Sequence, residues 1–526
     1  MEIGIVPTIP LGFAFFLPLL GYFMRSRKVI ELYALIASLL TSYASWKLFL
    51  MAYSSEEPLV YFLGNWPAPI GITLEVDRLS ALIVFTASVL FFLVIVYSIG
   101  YMEREKGIHY YYTALLGLES GIIGALMTGD AFNIFVMFEV IGASSYFLVG
   151  FIRRDGKAVE AAFKYGVIGA LATSLYFLAM GFLYSSFGTL NLADLSAKFH
   201  GIPFPVTVKT FGDPTLALAI FFALTISMVV VKSANFPGHF WLPDAHPAAP
   251  SPVSALLSGL VVAVPIYVLA RYIYTIFPPE GRIGGIISAS LLILGASSAF
   301  LGSTMMLVQR DIKRLVAYST IMHTGYMFMG LGVLSFTGLM AVTYHIVNHA
   351  LAKALLFLAA GSFIHASGTK NFERMAGIGR SMPFTTFAFV VATLALVGVP
   401  PLNAFFSKML IYNALVERSF VLGLVVIITS AVAAWAYFRA LVYLWRGKPS
   451  EGHHHGHEHS HEGPHGHENP YMALVMVLMA VAIIIVGLLS PMLIDRLAIP
   501  AAGQAMDYNG YIEAVKKLAE AAISFH

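Results

Sequence analysis

The chain contains no cysteine and very little charge. Of its 526 residues none is Cys, and Asp, Glu, Lys and Arg together make up 11 %. Without thiols it can form no disulfide, thiolate metal site or cysteine nucleophile, nor any cysteine-ligated iron–sulfur cluster, and its redox compartment is not written in its composition. It also lacks a glycine-rich nucleotide fingerprint, so no cofactor is expected. Soluble domains are roughly a quarter charged. A chain that is 11 % charged and 58 % hydrophobic is instead built for lipid. The formal net charge of +3 is dispersed over connections with no acidic or basic tail, which argues against a nucleic-acid partner.

What the chain does have is long apolar runs. A bilayer crossing needs about 20 apolar residues, and the sequence predicts an all-α integral membrane protein with about fourteen crossings. Their limits are 3–24, 29–53, 78–100, 109–128, 130–152, 162–187, 214–236, 250–277, 284–307, 312–333, 335–364, 382–415, 420–445 and 470–494. The first run has no basic start and no small-residue cleavage site, so it reads as a retained span and not a signal peptide. Connections near 25–28, 104–106, 153–157, 310–314, 370–380 and 446–448 carry about 16 Lys and Arg, the alternate ones about 5, which places the first set in the cytoplasm and both termini outside. The expected setting is the cell membrane. The segment 506–525 has apolar residues near helical spacing and reads as an interfacial helix or a partner-packing one.

Between the last two spans, residues 451–468 form a His-rich tract. His453, His454, His455, His457, His459 and His461 are good ligands for Zn²⁺ or Ni²⁺, but nothing in the tract fixes a geometry, and a solvated loop is the alternative.

Ionisable residues inside the spans carry the functional reading. Lys232 lies 18 residues beyond Pro214, and Pro237, Gly238 and Pro243 follow it, in VVVKSANFPGHFWLPDAHPAAP. A charge at membrane depth costs about 2.5 to 3.5 kcal/mol on insertion scales, and irregular backbone survives there only against protein or a watery cavity. Together they mark an ion route, with a structural ion pair as the alternative for Lys232. The same segment carries His239 and His246 as further titratable groups. Glu139 lies in AFNIFVMFEVIGASSYFLVG beside Gly142, Ala143, Ser144 and Ser145, and is expected to face the bundle because small residues allow close helix approach. Lys164, near the start of its span, is either part of the route or a snorkelling interfacial lysine.

His345, His349 and Lys353 recur at i, i+4 and i+8 in TYHIVNHALAKALLFLAAG, along one helix face. Histidine titrates near neutrality and lysine can be brought there by burial, so such a row suits proton hopping. Zinc is the alternative for the two histidines, though no HExxH glutamate accompanies them. His323, in TIMHTGYMFMGLG, either extends the row or is a core histidine. Pro400 and Pro401 then interrupt a later run, with Lys408 seven residues on. Two interrupted spans in separate halves point to structural repeats with ion sites at the breaks.

The segments FEVIGASSYFLVG, KSANFPGHFWLPDAHPAAPSPVSALLSG, QRDIKRLVAYSTIMHTGYMFMGLG, HIVNHALAKALLFLAAG and GVPPLNAFFSK resemble the proton-conducting, antiporter-like subunits of Mrp-type sodium/proton antiporters, respiratory complex I and membrane-bound hydrogenases. The resemblance covers about residues 75–445. It implies two inverted five-helix repeats, helices 4–8 and 9–13, with helices 7 and 12 broken. The division is then 1–108 for helices 1–3, 109–277 and 284–445 for the two half-channels, 446–469 for the His-rich loop and 470–526 for helix 14 and the amphipathic segment. By motif, Glu139 and Lys232 match the charge pair of the first half-channel, His345, His349 and Lys353 the central axis, and Lys408 the terminal lysine of the second. The resemblance further implies H⁺ and, in an Mrp setting, Na⁺ as cargo, with other membrane subunits as partners, with or without a peripheral iron–sulfur module. The chain has Ala263 where several relatives carry a lysine, and Ala248 replaces the acid of a DAHPEAP pattern. It stops soon after the last span, which favours an Mrp D-like or hydrogenase-type subunit. The rivals are a stand-alone transporter, a catalytic quinone or hydrogen-oxidising subunit, and a scaffold with degenerate channels.

Overall fold

In lipid a backbone must satisfy its own N–H and C=O groups, which a helix does within one segment. The computed structural model describes residues 2–24, 26–153, 155–205, 210–446 and 468–524, and about four-fifths of these are helical. In order come α1 (Ile5–Met24), α2 (Arg27–Ser54), a hairpin of β1 (Leu59–Phe62) and β2 (Thr73–Val76), α3 (Arg78–Tyr101), α4 (Ile108–Met127), α5 (Ala131–Val149) and α6 (Gly156–Phe187). A short α7 (Leu192–Phe199) precedes α8 (Pro214–Lys232), α9 (Leu242–Ala248), α10 (Ser251–Leu256) and α11 (Ala263–Arg271). The second half holds α12 (Gly281–Val308), α13 (Ile312–Gly332), α14 (Phe336–Ser367), α15 (Pro383–Val397), α16 (Asn403–Arg418) and α17 (Phe420–Arg446). The chain ends with α18 (Pro470–Leu488), α19 (Ser490–Leu493), α20 (Ile499–Met506) and α21 (Tyr508–Ser524). Among the described residues, 11 helices are long and apolar enough to cross a membrane, so the protein is multi-pass.

Polar residues between the apolar runs set the starts. Asp77, Asp130, Asp155, Asn191, Asp213, Asp311 and Ser335 each accept a backbone N–H in the first turn of the following helix. This is why α6 starts at Gly156, six residues before the apolar limit at 162. Capping by Asp155 extends the helix into its charged first turns, where Lys157, Glu160 and Lys164 lie.

Breaks appear where prolines and glycines predict them. After α8 the chain is irregular over 233–241, and Gly238 lies so close to the preceding helix that a Cβ there would come 2.8 Å from Val231 Cα. Between α15 and α16 the chain turns through Gly398 at φ 93° and then Pro400 and Pro401. The helix between these breaks, Ser251–Ile276, is enclosed on every side by protein. Its sequence is mostly apolar all round, as a helix with no water-facing stripe must be, and its polar residues Ser251, Ser254, Ser258, Arg271 and Thr275 are buried with it. It contains two π turns, Leu257–Val261 and Tyr272–Ile276. Pro265 has no N–H to offer the carbonyl of Val261, and Val262 N–H reaches back to the Leu257 carbonyl at 3.2 Å, so the turn before the proline widens.

The C-terminal segment departs from expectation. Instead of presenting its apolar face to lipid or a partner, α21 lays Tyr511, Ile512, Val515 and Ala519, all buried, on the chain's own α7 and hairpin. Tyr508 stacks on His200 at 3.8 Å, and Lys517 Nζ meets Glu57 at 2.5 Å. Beneath this strap Arg271 forks onto Asp77, with Nη1 to Oδ2 at 2.7 Å and Nη2 to Oδ1 at 2.8 Å, tying the enclosed helix to the start of α3.

Candidate functional site

The site is built on α14, which runs through the interior. His345, His349 and Lys353 are fully buried along its face, the two imidazole centroids 6.0 Å apart. His323 of α13 joins them, its Nδ1 lying 3.2 Å from His345 Nε2. His345 Nδ1 lies 2.9 Å from Ser407 Oγ, one residue before Lys408. A neutral imidazole donates from one nitrogen and accepts at the other. His345 can therefore take a proton on one side and release it on the other, between His323 and Ser407. Neither ring nitrogen of His349, nor Nε2 of His323, has a hydrogen-bond partner among the described residues.

Lys408 owes its position to the break. Where α15 stops, its last carbonyls lose their helical partners and carry the negative end of the helix dipole. Lys408 Nζ donates to the carbonyls of Val397 at 2.7 Å and Leu396 at 3.2 Å, and lies 5.6 Å from the centre of the Tyr326 ring. At the other end of the row Lys353 donates to Ser319 Oγ and, at 3.5 Å, to the Val316 carbonyl, while Tyr437 hydroxyl donates to the same Ser319. The row thus holds an amine at each end, a hydrogen-bonded run His323–His345–Ser407 near one of them, and His349 between that run and Lys353 with no hydrogen bond to either.

The first half is arranged differently. Lys232 is the last residue of α8, so it precedes its break, whereas Lys408 follows its own. Lys232 is 8 % exposed, and its hydrogen-bond partner is the Tyr146 hydroxyl at 3.3 Å rather than Glu139. The Glu139 charge still acts on both groups. Trp241 holds the break shut by donating to the Val231 carbonyl at 2.8 Å and stacking on Tyr165 at 3.9 Å.

The expectation that Glu139 faces the bundle is overturned, because its side chain is exposed on the outer surface of the chain. The small residues that read as one patch lie on two faces. Gly142 and Ser145 point inward, whereas Ala143 and Phe147, at i+4 and i+8 from Glu139, lie outside with it.

Between the halves sits His246, fully buried against Phe357 at 4.4 Å and within reach of the Lys313 and Lys353 charges. Lys313 reads as a loop charge in the sequence. It is instead 2 % exposed in the first turn of α13 and donates to the Ala249 carbonyl at 2.7 Å. Ala263 is buried and offers no polar group, although one turn before it Ser258 bonds Thr320 at 2.6 Å. His239 is half-buried on the first break with Nδ1 unpartnered. Lys164 stands apart from the buried row, half exposed and paired with Glu160 at 2.7 Å and Asp244 at 3.5 Å. It lines a surface cavity of about 420 Å³ together with Arg314 and Ala248. Among the described residues no three His, Asp or Glu are placed to hold a metal ion, and the His-rich tract 453–461 lies outside the described residues.

Tyr146, Ser407 and Ser319 contact the sequence-predicted residues Lys232, His345 and Lys353, and Lys313 is buried near His246; the sequence did not single out these four. Hydroxyls carry no pattern of their own, and Lys313 sits beside exposed basic residues. A family model described as NADH:quinone oxidoreductase/Mrp antiporter, TM, matches residues 128–433, and one described as NADH-Ubiquinone oxidoreductase (complex I), chain 5 N-terminus, matches 66–112. The N subunit of an NADH-quinone oxidoreductase from Desulforudis audaxviator is 33 % identical over 406 residues, covering 75 % of this chain and 77 % of that one. The D subunit of an Na(+)/H(+) antiporter from Alkalihalophilus pseudofirmus is 31 % identical over 387 residues, covering 73 % and 76 %. A chain in the structure of a membrane-bound sulfane sulfur reductase, an archaeal respiratory membrane complex, superposes with a TM-score of 0.87 at 28 % identity, covering 98 % of this chain and 99 % of that chain. With the first match spanning more than half its length, the chain belongs to the NADH:quinone oxidoreductase/Mrp antiporter transmembrane family.

Proposed function

We propose that the protein is an ion-translocating subunit of a multisubunit membrane complex, moving H⁺ and, in an antiporter setting, exchanging it for Na⁺. The observation that carries this reading is the buried hydrogen-bonded run His323–His345–Ser407 together with the buried Lys408, the next residue in the chain, whose Nζ is held by the carbonyls at the end of a broken helix. In this reading the chain crosses the cell membrane fourteen times with both termini outside. Residues 109–277 and 284–445 are inverted half-channels, and 446–469 is a cytoplasmic loop. Lys232, switching between Tyr146 and the field of Glu139, loads the first half-channel, His246 passes charge toward Lys353, and Lys408 discharges the second. His239 and Lys164 line the approaches. In this reading partner subunits or an ion gradient supply the driving force.

Gentle solubilisation followed by purification through a tag on this chain tests the assembly. Membrane subunits should copurify. Iron–sulfur or nickel-bearing partners would make the chain the ion-moving arm of a redox complex, and cofactor-free partners would make it part of a cation/proton antiporter. Recovery of the chain alone, active in solute uptake, contradicts the proposal.

A further inference from the structure

A second buried polar file lies away from both broken helices, between α2 and α4. On α2, Glu31, Ser38 and Ser45 recur every seven residues, and on α4 Tyr112 and Glu119 do the same. Seven residues complete nearly two turns, so each set keeps to one helix face in steps of about 10.5 Å. Glu31 is 8 % exposed and the other four are fully buried. The two faces meet near mid-length, where Ser38 Oγ donates to Glu119 Oε1 at 3.3 Å. Glu119 Oε2, Ser45 Oγ and the Tyr112 hydroxyl have no hydrogen-bond partner among the described residues.

Glu119 has one hydroxyl on one oxygen and no countercharge acting on it. An isolated carboxylate in an apolar interior is among the most costly groups a fold can hold, and ionisable residues at membrane depth face pathways. The file is open at one end. There Arg27 pairs with Glu31 at 2.6 Å, the two side chains 31 % and 11 % exposed, and Arg27 also donates to the Glu103 carbonyl at 2.7 Å. Tyr112 lies within reach of both charges, so solvent, ion pair, phenol and carboxyl follow one another inward.

We propose that Glu119 is a proton-exchanging carboxyl in a third ion file, fed from the Arg27–Glu31 end and separate from the broken-helix row. The ligand is H⁺, bound to and released from a carboxyl oxygen, with no other bond made or broken. The inference rests on the ion-translocating reading but uses none of its residues.

Dicyclohexylcarbodiimide, which adds to protonated carboxyls in apolar surroundings, tests it on the assembled complex in native membranes, with the site mapped by peptide mass spectrometry. The expected result is label on Glu119, absent from Glu119→Gln, and a roughly twofold or larger fall in proton flux in that variant, since a proton-transfer group contributes well beyond that. No label on wild-type Glu119, or full flux in Glu119→Gln, overturns the proposal. If the variant fails to assemble, labelling of the wild-type complex decides alone. Failure of the broken-helix reading is seen separately, as undiminished flux in Lys408→Ala.

Discussion

Replacing Asp77 by alanine strands a guanidinium inside the protein. Arg271 is 4 % exposed and its partner carboxylate is fully buried, so the single change leaves an uncompensated charge. Breaking one side of a buried pair costs about 3 to 5 kcal/mol. Asp77 also accepts the Ser80 N–H at 2.8 Å as the cap of α3, and losing a cap costs about 1 kcal/mol. Asp77→Ala should therefore destabilise by about 4 to 6 kcal/mol. Arg271→Met should fall at the lower end of the pair cost, because Ser80 N–H and Oγ still serve the carboxylate. The double variant has no stranded charge and should lose little beyond the cap, about 1 kcal/mol. Burial alone would raise the Asp77 carboxyl, but the Arg271 charge and hydrogen bonds, with the Ser80 donors, outweigh it and hold the carboxyl below its usual range. The stability it contributes is thus present above an ordinary carboxylate pKa of about 3.9 and is lost as pH falls through the lowered value. The assay is unfolding of the purified complex followed by tryptophan fluorescence, for wild type, both singles and the double, at neutral and acid pH. A double variant as destabilised as the sum of the singles would refute the reasoning.

Glu75 behaves in the opposite sense. Burial pushes its carboxyl well up, only partly offset by Tyr511 and Arg271, and neighbouring Asp77 adds to the rise. Its contribution is full below about 4.5 and is lost as pH rises toward the raised value. Glu75→Gln should match wild type in mild acid and gain on it toward pH 9, as read by melting temperature; a gap that does not change with pH contradicts this. Gly398→Ala places a Cβ 3.3 Å from Lys408 Nζ at a φ of 93°. The left-handed backbone alone costs about 1 to 2 kcal/mol, and the ammonium must shift, so both stability and flux should fall. Gly181→Ala, inside α6 with nothing within 4 Å, should leave flux unchanged and raise stability by about 0.5 to 1 kcal/mol, the opposite sign.

The helices and both breaks were legible in the sequence because lipid imposes one rule on every span, and Pro237, Gly238, Pro400 and Pro401 leave few alternatives. The row on α14 was legible for a similar reason, since i, i+4 and i+8 fix a shared face whatever surrounds it. Which way Glu139 points was not. Small residues from 142 to 145 look like one patch in a string, but the helix divides them between two faces. The π turn before Pro265 has a local cause in the proline's missing N–H, whereas local pattern gave no sign of the one after Arg271. Tyr146 and Ser407 gained importance only through contacts of 3.3 Å and 2.9 Å with residues far away in sequence. The amphipathic end of the chain advertised an apolar face, but nothing in it named the chain's own α7 and hairpin as what would cover that face.

The most direct test is proton flux through the assembled complex in proteoliposomes, driven by an imposed membrane potential and read with an entrapped pH dye. Lys408→Ala removes the amine held by the broken helix, and Ser407→Ala removes the hydroxyl that His345 contacts. The account predicts that the first abolishes flux and the second lowers it while the complex stays assembled. Wild-type flux in Lys408→Ala would contradict it.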